Sequence, residues 1–358
     1  MRPSRSNRLG QGVKVDGVIA IDLTGLESLV GAVEPLYVAS YDQELTAENL
    51  LSSLEEHWTT PQLRQATTSP EDIEGELVRD SAEFTGTGLE ALIGELNSRP
   101  LGSEVMPMAL AVRRAFQEKH LLVYLNDPPT QQLIEELGWA GKLAPATADY
   151  LLVVDTNMGF NKVDPQISRR IGYQVWLDAP DWPRGEVTLA YDNPSSSSPA
   201  TCAQENAYRG NYADMMQGCY WDYVRVYVPR GSELVRGPDM PLPPGSLLRR
   251  KGDESQWHNQ TIVGPPLDDK EVLGQFFLVA PGENRSLTFS YQLPDSVVKK
   301  GEEQVYGLTL EKQAGSEGTL VAVTMHLPAG AELLAADPPP RIAHEGTISF
   351  ELVLHTSR

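Results

Sequence analysis

The chain has 358 residues, of which 41% are hydrophobic, and a formal net charge of −20. This length exceeds one typical domain and predicts two or three. The acidic surplus argues against nucleic-acid binding, because phosphate contacts need clustered Lys and Arg. No apolar run approaches the ~18 residues that a membrane-spanning helix needs. The N-terminal residues also lack the apolar core of a signal peptide, so we expect a piece of a longer protein whose membrane anchor lies upstream.

The first half of the chain shows α/β patterning. Continuous apolar runs predict buried strands at Gly17–Leu23, His120–Leu125 and Tyr150–Asp155. Apolar residues at helical spacing, with Thr24 and Thr46 as N-caps, predict several helices between them. We therefore expect the three strands in one sheet that is flanked by helices.

From Gly172 onward the pattern changes to short alternating strands separated by Gly, Pro and Asn. We expect almost no helix there and predict an α+β, multi-domain protein, in which antiparallel β-sandwich-like regions follow an α/β portion. The predicted units are an α/β domain at 1–165 that lacks its upstream part, a β-rich domain at 166–237, a Pro-rich linker at 238–250 and a sandwich-like domain at 251–358.

Cys202 and Cys219 are the only cysteines, and they flank a Tyr- and Gly-rich loop that leads into a strand. A disulfide closing a loop of this size contributes about 3 kcal/mol in the chain-entropy model. Two unrelated buried thiols are the alternative, because free Cys is among the most buried residue types. We favour the disulfide, which persists only outside the reducing cytosol, and therefore expect an extracytoplasmic protein.

Several long segments resemble a known bacterial family. They are DGVIAIDLTGLESLVGAVEPL, TAENLL, EKHLLVYLNDPPTQQLIEELGWAGKL, DYLLVVDTNMGFNKVD, CYWDYVRVYVPRGSEL and EKQAGSEGTLVAVTMHLPAGAEL, in chain order. Together they are similar to the family called domain of unknown function 4012. The resemblance implies a protein of the bacterial cell envelope with an N-terminal transmembrane region and no assigned activity.

A shorter resemblance concerns DGVIAID and LTGLESLVGAV, which look like the later half of the LytR-CpsA-Psr fold. Members of that family transfer glycopolymers from lipid pyrophosphate carriers onto peptidoglycan. This resemblance implies an enzyme of glycopolymer transfer as the alternative function. It assigns no catalytic residue here.

The clearest candidate metal site is Asp155, Asn157, Asn161 and Asp164, directly after a predicted strand. Alternating oxygen side chains are typical of a calcium loop, and the candidate ions are Ca²⁺ and Mg²⁺. Phe160, however, stands where an EF-hand requires Gly. We favour the alternative, an Asx-rich turn in which the two Asn residues adopt left-handed backbone.

Two basic pairs are candidate phosphate-binding residues, Arg113–Arg114 and Arg169–Arg170. Arginine can bind pyrophosphate through two parallel hydrogen bonds. A transferase would require the pairs to approach each other across one concave pocket. The favoured alternative is an ordinary solvated surface.

Aromatic residues cluster around the second cysteine, and they predict either a carbohydrate-stacking platform or, preferably, core and cross-strand pairs. They are Tyr208, Tyr212, Tyr220, Trp221, Tyr223 and Tyr227.

These observations favour a non-catalytic extracytoplasmic envelope protein that acts as an interaction or assembly module. Its expected partners are other envelope proteins or cell-wall glycopolymer, with no nucleic acid and with membrane contact only through the upstream anchor. Self-association stays open. The alternative is part of a glycopolymer phosphotransferase that acts on a lipid-linked substrate.

Overall fold

The computed structural model describes residues 15–33, 35–58, 83–95, 98, 105–179, 181–196, 201–205, 212–249, 258–299, 301, 303–344 and 347–356. The chain forms two compact units. The first extends to Leu143 and includes Ala314–Ser316, and the second comprises Ala144–Gln313 with Glu317–Arg358. The predicted α+β, multi-domain fold is confirmed.

The first unit combines short strands with helices. Its strands are β1 (Gly17–Ile21), β2 (Leu36–Val38), β3 (Gln43–Leu45) and β4 (Leu121–Leu125). Its helices are α1 (Leu23–Gly31), α2 (Leu50–Trp58), α3 (83–95), α4 (Val105–Gln117) and α5 (Pro128–Glu136). β1 pairs antiparallel with β4, and β2 pairs antiparallel with β3.

Helix starts in this unit follow from local side-chain chemistry. Asp22, not the predicted Thr24, caps α1 by accepting a hydrogen bond of 2.8 Å from the backbone N–H of Gly25. The predicted cap of α2 is reciprocal: the N–H of Thr46 donates to Asn49 Oδ1, and the N–H of Asn49 donates to Thr46 Oγ1. Both arrangements satisfy backbone donors that a helix start leaves without an intrahelical partner.

An apolar core holds α1, the β2–β3 hairpin and the start of α2 together. Its buried side chains are Leu26, Leu29, Val30, Val33, Leu36, Val38, Leu45, Leu50, Phe84 and Leu92. None of the helices in the described part of the chain is long and apolar enough to cross a membrane.

The second unit is a β-sandwich. A five-stranded sheet has the order β12-β13-β8-β5-β17, and a seven-stranded sheet has the order β19-β20-β18-β6-β7-β14-β9, within the described residues. The strands of the first sheet are β5 (Asp149–Val154), β8 (Tyr220–Pro229), β12 (Ile262–Leu267), β13 (Lys270–Val279) and β17 (Leu308–Glu311). Those of the second are β6 (Ser168–Trp176), β7 (Arg184–Asp192), β9 (Glu233–Arg236), β14 (Asn284–Gln292), β18 (Thr319–His326), β19 (Ile342–His344) and β20 (Thr347–Leu354).

Within the described residues, two short strand pairs of the second unit lie outside these two sheets. In the second unit they are β10 (Asp239–Pro241) with β11 (His258–Gln260), and β15 (Val298–Lys299) with β16 (Val305–Tyr306).

Alternating side chains from both sheets interlock in one core. Val224 and Phe277 of the five-stranded sheet share this core with Tyr173, Val187 and Phe289 of the seven-stranded sheet. Burying this large apolar surface is the main stabilising term for such a unit. The sheets are mostly antiparallel as predicted, although β17 pairs parallel with β5 and β18 pairs parallel with β6.

Little helix follows residue 172 in the described part of the chain, as predicted. It contains α6 (Tyr212–Met216) and a single 3-10 turn at Asp295–Val297.

Two predictions about organisation were wrong. β5 does not join β1 and β4 in one sheet; it pairs with β8 and β17 in the sandwich. The first unit ends at Leu143 rather than at 165, and residues 238–250 do not separate two domains. The reason is long-range pairing, because β8 from before that segment bonds along its whole length to β13 from after it.

Candidate functional site

A partly buried ionic cluster joins residues of both sheets where β5 ends, and the side chains of Arg169, Asp155 and Asp164 in it are 21%, 10% and 48% exposed. The guanidinium of Arg169, on the core face of β6, donates from Nε to Asp155 Oδ2 at 2.9 Å. Its Nη2 donates to Asp164 Oδ1 at 2.5 Å and to the hydroxyl of Tyr220 at 2.8 Å. The hydroxyl of Tyr191 donates to Asp155 Oδ1 at 2.7 Å. Both oxygens of the Asp155 carboxylate therefore have donors from the opposite sheet.

Asp222 adds a second carboxyl to this cluster. It is fully buried on the core face of β8, and its Oδ1 accepts from the N–H of Thr156 at 2.8 Å. Burial, followed by the negative charge of Asp155, raises the pKa of Asp222 well above its ordinary value. The raised pKa favours the neutral form of Asp222 next to the Arg169–Asp155 ion pair.

The side-chain oxygens of the predicted metal-binding residues accept hydrogen bonds from donors of the protein itself. Asp155 and Asp164 share Arg169, whereas Asn157 Nδ2 donates to Asn161 Oδ1 at 2.8 Å. Within the described residues, no group of three or more His, Cys, Asp or Glu is placed to hold a metal ion. A guanidinium supplies the positive charge here, and the residues fit it better than they fit Ca²⁺ or Mg²⁺.

The turn itself is Asx-rich, in line with the favoured interpretation. Asn157 Oδ1 accepts from the N–H of Gly159 at 2.9 Å, and Asn161 Nδ2 donates to the carbonyl of Cys219 at 2.8 Å. The left-handed residue, however, is Phe160 at φ 48°, not either Asn. The two amide side chains hold the turn, and the strain falls on the residue between them.

The two pairs of candidate phosphate-binding arginines lie in different units. Arg113 and Arg114 lie on α4 in the first unit, where Arg114 Nε bonds Glu118 at 2.9 Å, and the other pair lies in the second unit. Arg169 points into the core, and Arg170, the next residue of β6, is exposed on the outer face. Strand neighbours point to opposite faces, so Arg169 and Arg170 cannot bind one phosphate together.

Another fully buried carboxyl, that of Asp149, lies at the start of β5. Asp149 Oδ2 accepts from the hydroxyls of Tyr173 and Tyr306, both at 2.5 Å, and Oδ1 accepts from the N–H of Tyr150. Burial is the largest effect on this group, and it raises the pKa of Asp149 to about 6 although these three donors oppose it.

The predicted disulfide is present. Cys202 and Cys219 are bonded with their Cα atoms 5.9 Å apart. Beside the bond, Gln204 Nε2 donates to the carbonyl of Met158 at 2.8 Å, and Gln204 Oε1 accepts from the N–H of Leu247 at 3.0 Å. The disulfide and Gln204 therefore connect the segment 201–205 to three other segments of the second unit, those of Cys219, Met158 and Leu247.

The aromatic residues near the disulfide belong mainly to the core, as the favoured interpretation held. Tyr220, Trp221 and Tyr227 are buried, so they offer no exposed stacking platform. Tyr212 and Tyr223 are half-buried, and Tyr208 lies outside the described residues.

Sequence reasoning identified Asp155 and Arg169 but missed Asp222 and Tyr191 as their neighbours. The sequence does contain a signal for Asp222. It lies two residues from both Tyr220 and Val224 in a predicted strand, so its side chain points to the same face as these two core residues. A carboxyl at such a position indicates a buried polar cluster.

Comparison with known proteins gives structural similarity but no family. No family model and no curated protein matches it. One similar solved structure is a "putative nutrient binding protein" from Legionella pneumophila subsp. pneumophila str. Philadelphia 1. It is 9% identical, with a TM-score of 0.28, over 59% of this chain and 69% of that one, and it carries no inference about function. The disulfide indicates an oxidising, extracytoplasmic environment.

Proposed function

We propose that this chain is an extracytoplasmic interaction module of the bacterial cell envelope and that it is not a catalyst. The observation that carries the proposal is that Arg169 forms ion pairs with both Asp155 and Asp164 in a disulfide-bonded sandwich, so these charged groups already have partners within the protein. These ion pairs stabilise the fold, and the same charged side chains are then not free to bind or activate a substrate. Other envelope proteins and cell-wall glycopolymer are the proposed partners.

Glycopolymer transfer is the weaker candidate. That reaction needs cationic groups that can reach a pyrophosphate, and Arg169 already has two carboxylates and a tyrosine hydroxyl around its guanidinium. The resemblance to domain of unknown function 4012 supports the envelope role, and no activity is implied by it.

Photo-cross-linking in the native bacterium tests the proposal. A photoreactive amino acid would replace Trp182, Val235 or Leu334 in the full-length protein, because these side chains are 68%, 71% and 69% exposed. We expect light-dependent adducts with envelope proteins or cell-wall material. Adducts only with cytoplasmic proteins would contradict the envelope role.

A transfer assay with a lipid-pyrophosphate-linked glycan donor tests the absence of catalysis. We expect no product from the wild-type protein beyond the level of a heat-denatured sample. Product formation that Arg169→Lys abolishes and Arg170→Lys leaves intact would establish the enzyme instead.

A further inference from the structure

The first strand of the chain, β1, has the sequence of a buried strand but is exposed on both faces. Its residues Gly17–Ile21 are glycine or apolar throughout, and such a continuous run is typical of a strand that is covered on both sides. Val18 and Ile19, however, are 57% and 68% exposed. Because neighbouring residues of a strand point to opposite faces, neither face is covered at the centre of β1. The prediction of a buried strand is wrong here, and the apolar run needs another explanation.

One edge of β1 is unpaired within the described residues. β1 bonds to β4 in a two-stranded sheet, and no other described strand joins it. At one end the N–H of Asn126 donates to the carbonyl of Asp16 at 2.7 Å, and at the other the N–H of Asp22 donates to the carbonyl of His120 at 3.1 Å. Hydrogen-bonded pairs alternate along an antiparallel ladder, so the even-numbered residues from Asp16 to Asp22 are the ones that bond to β4.

The backbone groups that point to the open edge belong to Gly17, Ile19 and Ile21. Each residue has one N–H and one C=O that β4 does not use, and no residue of the described ranges bonds to them. The strand presents an edge ~17 Å long. Backbone donors and acceptors in such a row are a template for pairing with another chain.

The edge strand β12 of the second unit has protective features that β1 lacks. β12 contains Pro265 and Pro266, and its register with β13 shifts between Gly264 and Leu267. Proline and an irregular register keep an exposed edge from pairing with another chain. β1 contains no proline and keeps one register with β4 over its whole length. Its edge can therefore accept a further strand.

We propose that β1 is a docking site for an extended apolar segment of another protein, which joins the sheet as a strand beside β1. This inference names a binding surface for the interaction module and rests on that proposed function. An added strand would bond to the outward N–H and C=O groups of β1, and its side chains would cover Val18 and Ile19. The exposed apolar run then has a role that the isolated chain does not reveal.

Charges at the ends of β1 favour a partner with basic flanks over a second copy of this chain. Asp16 precedes the strand and is exposed, and Asp22 follows it with a side chain that is 26% exposed. If two β1 strands paired antiparallel about Ile19, Asp16 of each copy would lie opposite Asp22 of the other. Like charges in that position are destabilising, and each copy has a net charge of −20. Lys or Arg beside the partner's apolar segment would instead complement both carboxylates.

Fluorescence anisotropy of a labelled synthetic peptide, measured with the whole chain, tests the inference. The probe is a short blocked peptide of alternating Val and Thr with Lys at both ends, because these residues favour an extended strand. We expect it to bind the wild-type protein. Methylation of its backbone nitrogens should weaken binding by about tenfold or more, since it removes the donors of the added strand. The same peptide with Glu at both ends should bind less tightly, because it meets Asp16 and Asp22.

Two substitutions at one position separate backbone pairing from side-chain contact. Ile19→Pro removes an N–H that points to the open edge, whereas the matched control Ile19→Thr keeps it. β4 does not use this N–H, so both variants should keep a thermal unfolding midpoint close to that of the wild type. We expect Ile19→Pro to weaken peptide binding about tenfold and Ile19→Thr to change it by less than about threefold.

The outcomes distinguish this site from the broader role. Absence of peptide binding, equal affinity of wild type and Ile19→Pro, or binding that backbone methylation leaves unchanged would overturn strand addition at β1. Tighter binding of the Glu-ended peptide would overturn the basic partner. A wild-type dimer in analytical ultracentrifugation that Ile19→Pro dissociates would assign the edge to a second copy instead. The cross-linking positions Trp182, Val235 and Leu334 lie in the second unit, so envelope adducts there would still support the interaction module.

Discussion

At the scale of single residues, two buried carboxyls govern how the second unit responds to pH. Asp149 and Asp222 are both fully buried and both have a raised pKa. A group with a raised folded-state pKa holds a proton that the unfolded chain releases. Its effect is to lower stability as the pH rises from the unfolded pKa through the folded one.

The first prediction concerns Asp149. Its pKa is about 6 in the folded state, against an ordinary value of 3.8, so the free energy of unfolding falls as the pH rises between these values and stays low above them. Lowering the pH from 8 to 5 should therefore add about 1.4 kcal/mol from this residue to the free energy of unfolding. Denaturant titrations of wild type and Asp149→Asn measure it, since only the wild type carries this increment. Parallel pH profiles of the two proteins would exclude the assignment.

The second prediction compares neighbouring arginines. Arg169→Met leaves Asp155 buried without its cation, which should cost about 3 kcal/mol of the free energy of unfolding. Arg170→Met, on the outer face, should change it by less than about 0.5 kcal/mol. Urea unfolding of the two variants gives both values. Similar losses in both would show that the Arg169–Asp155 pair does not stabilise the core.

Residue-level inference from sequence succeeded where chemistry is local and failed where partners come from another sheet. The Thr46–Asn49 cap needs only residues three apart, and it was predictable. The Asp155–Arg169 pair joins residues whose strands belong to different sheets. Nothing in the local pattern specifies which cation reaches which carboxylate.

At the scale of elements, the disulfide orders a region that has little apolar surface of its own. The buried apolar cluster around Cys219 is small, and its other members are Trp221, Leu242 and Phe276. The segment 201–205 is otherwise held by hydrogen bonds such as that of the Gln204 N–H to the carbonyl of Gly245 at 2.9 Å.

The third prediction follows for this element. Replacing both cysteines by Ser should lower the free energy of unfolding by about 3 kcal/mol, because the unfolded chain regains the freedom that the bond removes. Hydrogen exchange should rise in 201–205 and in the turn at 157–161, while the centre of β8 stays protected. An unchanged exchange pattern would mean that packing, not the disulfide, orders these loops.

Strand patterns in the C-terminal half were predictable for a related reason. In β14 the side chains of Leu287, Phe289 and Tyr291 point into the core and the polar residues between them point outward. This alternation within one strand is enough to predict which face is buried. The pairing of β5 was not predictable, because an apolar run such as YLLVV fits any central strand equally well. Its partners β8 and β17 come from distant parts of the sequence.

At the scale of the whole molecule, the chain is two compact units with different architectures. The predicted separation into three folded domains failed because strands from 166–237 and 251–358 complete the same two sheets. A Pro-rich stretch such as 238–245 is equally compatible with a linker and with a long connection inside one sandwich.

The central proposal about the molecule is that it works outside the cytoplasm with its disulfide formed. Thiol trapping in the native bacterium tests it most directly: cells are quenched in acid, free thiols are alkylated, and Cys202 and Cys219 are quantified by mass spectrometry. The account predicts that nearly all of the protein carries the Cys202–Cys219 bond and resists alkylation until it is reduced. Full alkylation of both thiols without reductant would contradict it.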